Sequence, residues 1–293
     1  AHRDAEEAFV DLLARQSEGK HFFVAEYLRT AIAEQVLVRV ANGRWTIAES
    51  EAPTEELCEN LPLPRSLREI VQLRLDRLTD ETRRVLDTAA VIGRRIDVEV
   101  LRKVEGLDDA SLVALLDEML RLAVIEAADD GGYRFVHDKL REVPEAELHV
   151  ARREDLHRRV AQAMEQVYGL ERDAVVDPGR ALSRSTKHAE IGRHWSAGAE
   201  PAKAVPYLVE AGDRARGCHA VGEAIALYRQ ALDDVARASA ASADGDWWVL
   251  ARRLDEKLGD TLTFAGHHLE AIEAFQRGMD ALDQEQLLER VRL

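Results

Sequence analysis

Apolar residues recur at helical spacing along most of the chain, and this pattern predicts a mainly α-helical fold. Between Glu6 and Glu34 the spacing predicts one helix, a break at Ser17–Lys20 and a second helix. The segment Val36–Ile47 has β-rich runs on both sides of Asn42-Gly43, a pair typical of a type I′ hairpin turn. A proline-punctuated acidic linker, Ala52–Pro64, ends this first region.

A second region has the order of a winged-helix domain: helices followed by a hairpin. The apolar stripes predict four helices, and a Gly-Gly turn separates two short strands; these elements are Ser66–Leu78, Asp80–Ile92, Asp97–Val104, Asp109–Leu122, Val124–Ala127 and Tyr133–Val136. Winged helices often bind DNA. Here the stretch Asp108–Leu122, which contains the last helix, has four acidic residues against Arg121 alone, whereas phosphate contacts require Lys and Arg. A structural or regulatory role is therefore favoured over DNA binding.

The last region repeats itself after a predicted helix at Ala151–Tyr168 and a predicted loop at Arg172–Thr186. Small residues recur where paired helices approach closely, and larger residues recur where they fill the groove between helices. The positions that define this register are Gly192, Trp195, Ala204, Gly212, Ala224, Tyr228, Gly259, Ala271 and Phe275. The register resembles the tetratricopeptide repeat, although generic α-solenoids also contain such helix pairs.

The repeat copies are unevenly spaced, and this predicts how the helices pair. One helix near Ala202–Cys218 is expected to pack on both neighbours, and Ala236–Asp246 is expected to be a loop. The terminal stretch Gln286–Leu293 begins another apolar helix without a following partner, which predicts fraying or self-association there. Overall the sequence predicts a helical segment with a hairpin at 1–62, a winged helix at 63–145 and a truncated helical-repeat array at 146–293.

Charge and composition narrow the possible partners. The chain of 293 residues has a formal net charge of −15, which disfavours nucleic acid and anionic membranes as partners. No stretch is long and apolar enough to predict a membrane span. Cys58 and Cys218 lie far apart without metal-ligand spacing, a pattern typical of reduced thiols in a cytoplasmic protein.

Sequence motifs for catalysis are missing. The chain contains no GxxxxGK[ST] phosphate loop, no HExxH and no GxSxG, so we expect that it is not an enzyme and does not bind ATP by itself. His267-His268 falls at a turn between repeat helices, where solvated polar residues are more usual than metal ligands. No metal site is therefore predicted.

The tetrapeptide Phe135-Val136-His137-Asp138 is the remaining candidate for chemistry, because it follows the turn of the predicted hairpin. In the simplest interpretation His137 is a residue at the exit of the hairpin and Asp138 is the N-cap of a following helix, a position that Asp favours.

Three segments resemble the signal-transduction ATPases with numerous domains (STAND), particularly the bacterial branch found in large LuxR-type regulators and in chains linked to kinases or cyclases. These segments are Ser17–Arg29, Leu63–Leu78 and Arg134–Glu142. The first resembles the family's Gly-Asn-Pro-Phe-Phe lid segment, with Lys20-His21 in place of Asn-Pro. In this family an ATPase core precedes a lid, a winged helix and a tetratricopeptide array, and the chain would begin just after that core.

The resemblance implies a function for the chain and for His137. The chain would be the regulatory portion of such an ATPase, joined to an upstream core that binds ATP or ADP with Mg, and its repeats would bind a protein partner. "FVHD" resembles the family motif whose histidine approaches the bound diphosphate and stabilises the closed state. Without the core we expect His137 to be partly exposed and His137→Ala to change stability little. The alternative is a stand-alone tetratricopeptide scaffold.

Overall fold

Helices form most of the chain, which confirms the prediction of a mainly α fold. The computed structural model describes residues 9–14, 17, 19, 21–39, 45–47, 65–129, 131–168, 181–241 and 246–291. The chain divides into two compact units, unit 1 (Ala1–Leu148) and unit 2 (His149–Leu293). The predicted segments 1–62 and 63–145 both fall in unit 1, and the predicted boundary at 62 lies outside the described residues.

Unit 1 begins with helical residues 9–14, helix α1 (His21–Ala33) and strands β1 (Leu37–Arg39) and β2 (Trp45–Ile47). The strands pair antiparallel with Leu37 opposite Ile47, which confirms the predicted hairpin, while its turn at Asn42-Gly43 lies outside the described residues. Gly19 has a φ of 72°, a conformation that suits glycine at the predicted break between helices. A small apolar cluster unites the segment: Phe9, Leu12, Ala31, Val36 and Ile47.

The rest of unit 1 combines helices with a three-stranded sheet. Its elements are α2 (Arg65–Leu75), α3 (Asp80–Ile92), β3 (Arg95–Ile96), α4 (Val98–Glu105), α5 (Asp109–Arg121), β4 (Ile125–Ala127), β5 (Tyr133–Phe135) and α6 (Asp138–Glu147). The side chains of Thr79, Asp97 and Asp108 accept backbone hydrogen bonds as N-caps, so three of the helices begin where the sequence offers a capping residue.

The sheet of unit 1 has the order β3-β5-β4, with both pairs antiparallel. Strand β3 was not predicted from the sequence. The apolar stripe of α5 packs inward as expected, because Leu112, Leu115, Leu116 and Met119 are buried. They share one core with Leu86, Leu101 and Phe135. This core holds β5, and with it the Phe135–Asp138 segment, against the helices.

Unit 2 is built from helices α7 (Val150–Tyr168), α8 (Ala181–Ala197), α9 (Pro201–Gly217), α10 (Val221–Ala241), α11 (Trp247–Ala265) and α12 (His268–Val291). Helix α9 packs against both α8 and α10, as predicted. The prediction that Gln286 begins another helix is wrong, because residues 286–291 continue α12. The side chains of Gln286–Leu293 lie outside the described residues, so the fraying or self-association predicted there stays a prediction.

Two predicted loops of unit 2 are wrong in part. Residues 181–186 belong to α8 instead of to the loop predicted at 172–186. Residues 236–241 belong to α10 instead of to the loop predicted at 236–246. This second stretch is rich in alanine, the best helix former, and Ala238 is buried, so both propensity and packing favour helix over loop. In the described parts of the chain, no helix has the length and apolarity needed to span a bilayer.

Candidate functional site

His137 lies at the junction of β5 and α6, where the chain leaves the sheet of unit 1. It is the N-cap residue of α6, and its Nδ1 accepts a hydrogen bond from the backbone N–H of Lys139 at 3.1 Å. The neutral ring therefore carries its proton on Nε2. The side chain is 3% exposed, and its ring meets the ring of Phe23 edge to face with 4.3 Å between centroids. His137 thus connects α6 with α1.

Two expectations about this tetrapeptide are wrong. His137 is not partly exposed, because α1 places Phe23 against its ring. Asp138 is not the N-cap but the first residue of α6, where a carboxylate is favoured by the helix dipole. Its Oδ2 also lies 3.3 Å from Nη1 of Arg94. The role of His137 towards a nucleotide stays a prediction.

Burial changes the expected effect of replacing His137. We now expect His137→Ala to lower the free energy of unfolding by about 1 to 3 kcal/mol, because the variant loses both the cap and the contact with Phe23. His137→Asn retains a capping oxygen and should lose less. Denaturant titration of the three proteins measures the difference. Equal stability of the alanine variant and the wild type would contradict the packing described here.

Helix α1 contributes a second buried group next to α6. Tyr27 is 2% exposed, and burial raises the pKa of its hydroxyl, with a further contribution from the negative charge of Glu142 in α6. The phenol therefore stays neutral at physiological pH. Phe23 and Tyr27 thus give α1 two interactions with α6. His137 lies within this contact between the two helices.

A cavity of 310 Å³ on the sheet of unit 1 is lined by Arg94, Arg95 and Arg134 together with Asp129. Two of these arginines meet acids: Arg94 pairs with Asp138, and Arg134 Nε lies 2.9 Å from Glu126. Their charges are therefore partly neutralised within the protein.

We expect no binding of duplex DNA by this surface, because the neighbouring helix α5 is acidic and the whole chain is strongly negative. An electrophoretic shift assay at low salt is the most permissive test, since low salt strengthens electrostatic binding. A salt-sensitive shift that disappears in an Arg94→Ala/Arg95→Ala variant would show that the surface does bind DNA.

In unit 2 the predicted repeat positions lie at crossings between helices. A Cβ atom at Gly192 would lie 2.8 Å from Leu208 Cγ, one at Gly212 would lie 2.7 Å from Tyr228 Cε1, and one at Gly259 would lie 2.6 Å from Phe275 Cε1. The same combination of a glycine with a large side chain thus recurs at the α8–α9, α9–α10 and α11–α12 crossings. Ala204, Ala224 and Ala271, the other small residues of the register, are buried.

Trp195 joins three helices of unit 2. Its Nε1 donates to Glu165 Oε1 at 2.8 Å, and the same oxygen accepts a hydrogen bond from the hydroxyl of Tyr207 at 2.7 Å. Lys203 Nζ lies 4.6 Å from the centroid of the Trp195 ring, within cation–π range. Glu165 of α7 is therefore tied to α8 and α9 by one shared carboxylate oxygen.

Tyr228 is fixed at both ends of its side chain. Its ring is fully buried against Gly212, and its hydroxyl donates to Asp213 Oδ1 at 2.7 Å. Lys257 of α11 pairs with the same carboxylate. Burial, together with the hydrogen bond to Asp213, raises the pKa of the Tyr228 hydroxyl. Three consecutive helices are connected through this one group.

A histidine pair lies between α7 and α8. The Nδ1 atoms of His157 and His194 are 2.9 Å apart, so a neutral pair shares one proton in this hydrogen bond. Burial lowers the pKa of His194 to about 3 and that of His157 to about 4. Positive neighbours act in the same direction, with Arg153 near His157 and Arg193 near His194.

A cavity of 640 Å³ in unit 2 lies among α10, α11 and α12; we call it the tryptophan cavity. Apolar side chains and two indoles line it, including Leu232, Leu258, Leu262, Trp247 and Trp248. This site was not predicted from the sequence. The only local signal was the Trp247-Trp248 pair at the start of a helix, and the cavity needs side chains from three helices.

The tryptophan cavity also contains an ion pair between a buried acid and a half-exposed arginine. Asp255 is 5% exposed, and its Oδ1 lies 2.7 Å from Nη2 and 3.0 Å from Nε of Arg277. Burial raises the pKa of the Asp255 carboxyl, and the hydrogen bond from Arg277 opposes the shift. At the rim, Arg229 pairs with Glu270.

A metal site was not predicted, and the described residues contain no cluster of three or more potential metal-binding side chains. His267 instead lies 3.0 Å from Glu270 through its Nδ1. Cys218 is exposed with a free thiol, and Cys58 lies outside the described residues.

Comparisons with known proteins give one similar structure. No family model matches the chain, and no curated protein is significantly similar to it. The chain is similar to the crystal structure of a STAND protein with a tetratricopeptide repeat sensor from Pyrococcus horikoshii, with 12% identity and a TM-score of 0.25. The match covers 96% of this chain and 54% of that protein, so the chain spans about half of its length.

Proposed function

We propose that this chain is a regulatory, protein-interaction part of a STAND signalling ATPase. In this proposal unit 1 relays the nucleotide state of an ATPase core, and unit 2 binds a protein partner through tetratricopeptide-like repeats. The chain itself performs no catalysis, since its sequence has no phosphate-binding loop. ATP or ADP with Mg would belong to the ATPase core.

The observation that carries the proposal is the recurrence of the glycine contacts in unit 2. Three crossings place a glycine against a large side chain, and each pair has the same separation in the sequence: Gly192 with Leu208, Gly212 with Tyr228, and Gly259 with Phe275. Close approach of two helices at equivalent positions of successive helix pairs is the packing rule of stacked helical repeats, which expose extended surfaces for binding. This supports assigning 146–293 as a repeat array.

The architecture of unit 1 supports a winged-helix assignment for 63–145 and a helical lid at 1–62. Helices α3, α4 and α5 precede the β4–β5 hairpin, and β3 adds a third strand beside β5. The acidic character of α5 favours a contact with protein over a contact with DNA.

His137 is the residue that we propose as the nucleotide sensor in unit 1. Because Phe23 covers its ring, a phosphate group reaches the imidazole only if α1 moves away from α6. The contact between Phe23 and His137 is then a two-state element: the two rings touch as observed, and they separate when His137 binds the diphosphate. A hydrogen bond to a charged phosphate is worth about 1.5 to 3 kcal/mol, which biases such an equilibrium without fixing it.

The alternative is a stand-alone tetratricopeptide scaffold, because the packing of unit 2 requires no ATPase. The two functions differ first in whether the gene encodes a phosphate loop upstream of Ala1. Where it does, a regulatory role further requires that unit 2 influences nucleotide release. We would measure ADP dissociation from the ATPase that contains this chain, with and without residues 149–293. A regulatory unit 2 changes the rate severalfold, and adding 149–293 as a separate chain restores it in part. Equal rates, with the shortened protein still folded by circular dichroism, would contradict a regulatory role for unit 2.

A further inference from the structure

The tryptophan cavity has the dimensions and lining of a ligand site. Its volume of 640 Å³ falls within the range of about 300 to 1,000 Å³ that is usual for small-ligand pockets. Trp247 and Trp248 provide large apolar surfaces, and Leu258 and Leu262 close its inner wall as buried residues. Such a lining favours a ligand with an apolar portion.

The charges around the tryptophan cavity favour a cation. Its lining contains two arginines, and each is paired: Arg229 with Glu270 and Arg277 with Asp255. Two further acids, Asp233 and Glu273, line the cavity and are exposed. Among the described residues, neither of these two carboxylates forms an ion pair within the protein. The cavity therefore has an excess of negative charge that a positive ligand would neutralise.

We propose that the tryptophan cavity binds a lysine or arginine side chain of an extended segment of a protein partner. The aliphatic stem of such a side chain would pack on the leucines and the indoles, and its charged end would meet Asp233 and Glu273. Lysine and arginine combine an apolar stem with a charged head, which matches this division of the lining. Tryptophan is also the best aromatic partner for a cation.

This inference rests on the proposed function only in taking unit 2 as the partner-binding unit, and it specifies the chemistry of the partner. The site combines an apolar lining with two carboxylates, and this combination disfavours other side chains. A purely apolar side chain would leave the two carboxylates without a partner, and an acidic side chain would be repelled by them. The volume of the cavity is larger than that of one side chain, and the residues that flank the lysine or arginine in a peptide would occupy the remaining space.

The test uses the indole N–H signals of the intact chain in ¹H–¹⁵N spectra. Four tryptophans are present, and single Trp→Phe variants assign their signals. Trp247 is a sensitive reporter, because its Nε1 is buried and has no hydrogen-bond partner among the described residues. The probes are three capped pentapeptides of alanine with lysine, norleucine or glutamate at the centre, and free butylamine, which represents the lysine side chain without a peptide.

We expect the lysine peptide to shift the signals of Trp247 and Trp248 in a saturable way and to leave those of Trp45 and Trp195 unchanged. The norleucine and glutamate peptides should bind at least fivefold more weakly. Neutralising both free acids, in an Asp233→Asn/Glu273→Gln variant, should weaken the lysine peptide about tenfold. Glu223→Gln, on the same helix as Asp233 but outside the cavity lining, is the matched control and should leave affinity unchanged.

Several outcomes would overturn the inference. Glutamate or norleucine peptides that bind as tightly as the lysine peptide would refute the role of charge. Free butylamine that binds as tightly as the lysine peptide would refute a peptide ligand. Unchanged signals of Trp247 and Trp248 at millimolar lysine peptide would refute the site. The ADP measurement described above does not depend on these peptides, so failure of one proposal is distinguishable from failure of the other.

Discussion

Gly212→Ala is expected to lower the free energy of unfolding by about 1 to 2 kcal/mol, although alanine is normally the better helix former. The added Cβ would lie 2.7 Å from Tyr228 Cε1 and 2.9 Å from Cδ1. The ring cannot move aside easily, because it is fully buried and its hydroxyl is bonded to Asp213. Overpacking costs about 1 to 3 kcal/mol, whereas the gain in helix propensity is at most about 1 kcal/mol.

Alanine substitutions at two other glycines provide the comparison for this prediction. Gly222→Ala is the matched control in the neighbouring helix α10, because a Cβ there has no atom within 4 Å, and we expect slight stabilisation. Gly259→Ala should cost less than Gly212→Ala, since Phe275 is only partly buried and its ring can shift. Guanidinium denaturation of the set measures these differences. A Gly212→Ala protein as stable as Gly222→Ala would contradict the proposed close crossing of α9 and α10.

Acid is expected to destabilise unit 2 through His157 and His194. Above a pH of about 6.5 both rings are neutral in the folded and unfolded states, so they add no pH dependence. Below this pH the two histidines of the unfolded chain bind protons. The folded pair, with pKa values of about 4 and about 3, stays neutral. The free energy of unfolding therefore falls as the pH drops from about 6.5 towards about 4, and the loss reaches about 2 kcal/mol for each ring at pH 5.

The loss for both rings at pH 5, about 4 kcal/mol, is a large part of a typical stability of about 5 to 15 kcal/mol. Protonation of the second ring would also remove the acceptor in the Nδ1–Nδ1 hydrogen bond. We would compare wild type with a His157→Leu/His194→Leu variant by denaturation from pH 7.5 to 4.5, using His268→Leu, an exposed histidine, as control. The double variant should have a clearly smaller slope between pH 6.5 and 5. Identical slopes in all three proteins would show that the pair is not buried in the neutral form.

Elements with a regular local pattern were predictable from the sequence. Asn42-Gly43 predicted the hairpin whose strands pair in the structure, and the apolar stripe of α5 predicted its buried face. Both signals depend on residues close to each other in the chain. In contrast, β3 comprises only two residues, Arg95 and Ile96, which is too short for a periodic signal. Its strand character comes from pairing with β5, far along the chain.

The environment of the candidate residues was less predictable, because it depends on distant parts of the chain. His137 is buried by Phe23, which lies in another helix of unit 1, and no local pattern around the tetrapeptide indicates this contact. The alanine-rich stretch at 236–241 was predicted as a loop, yet α10 continues through it with Ala238 buried. The tryptophan cavity likewise needs α10, α11 and α12 together. The spacing of Gly192, Gly212 and Gly259 was visible in the sequence, but the atoms that each glycine approaches were not.

The central proposal is that this chain belongs to a signalling ATPase, and the rate at which that ATPase releases ADP tests it most directly. The variant to compare with wild type is His137→Asn, because it retains a capping oxygen for α6 while it removes the imidazole. His149→Asn, an exposed histidine just beyond α6, is the matched control. If His137 holds the diphosphate, His137→Asn should release ADP about tenfold faster or more, the equivalent of one charged hydrogen bond, and the control should behave as wild type. An unchanged rate in His137→Asn would contradict the nucleotide relay and leave His137 as a buried helix cap.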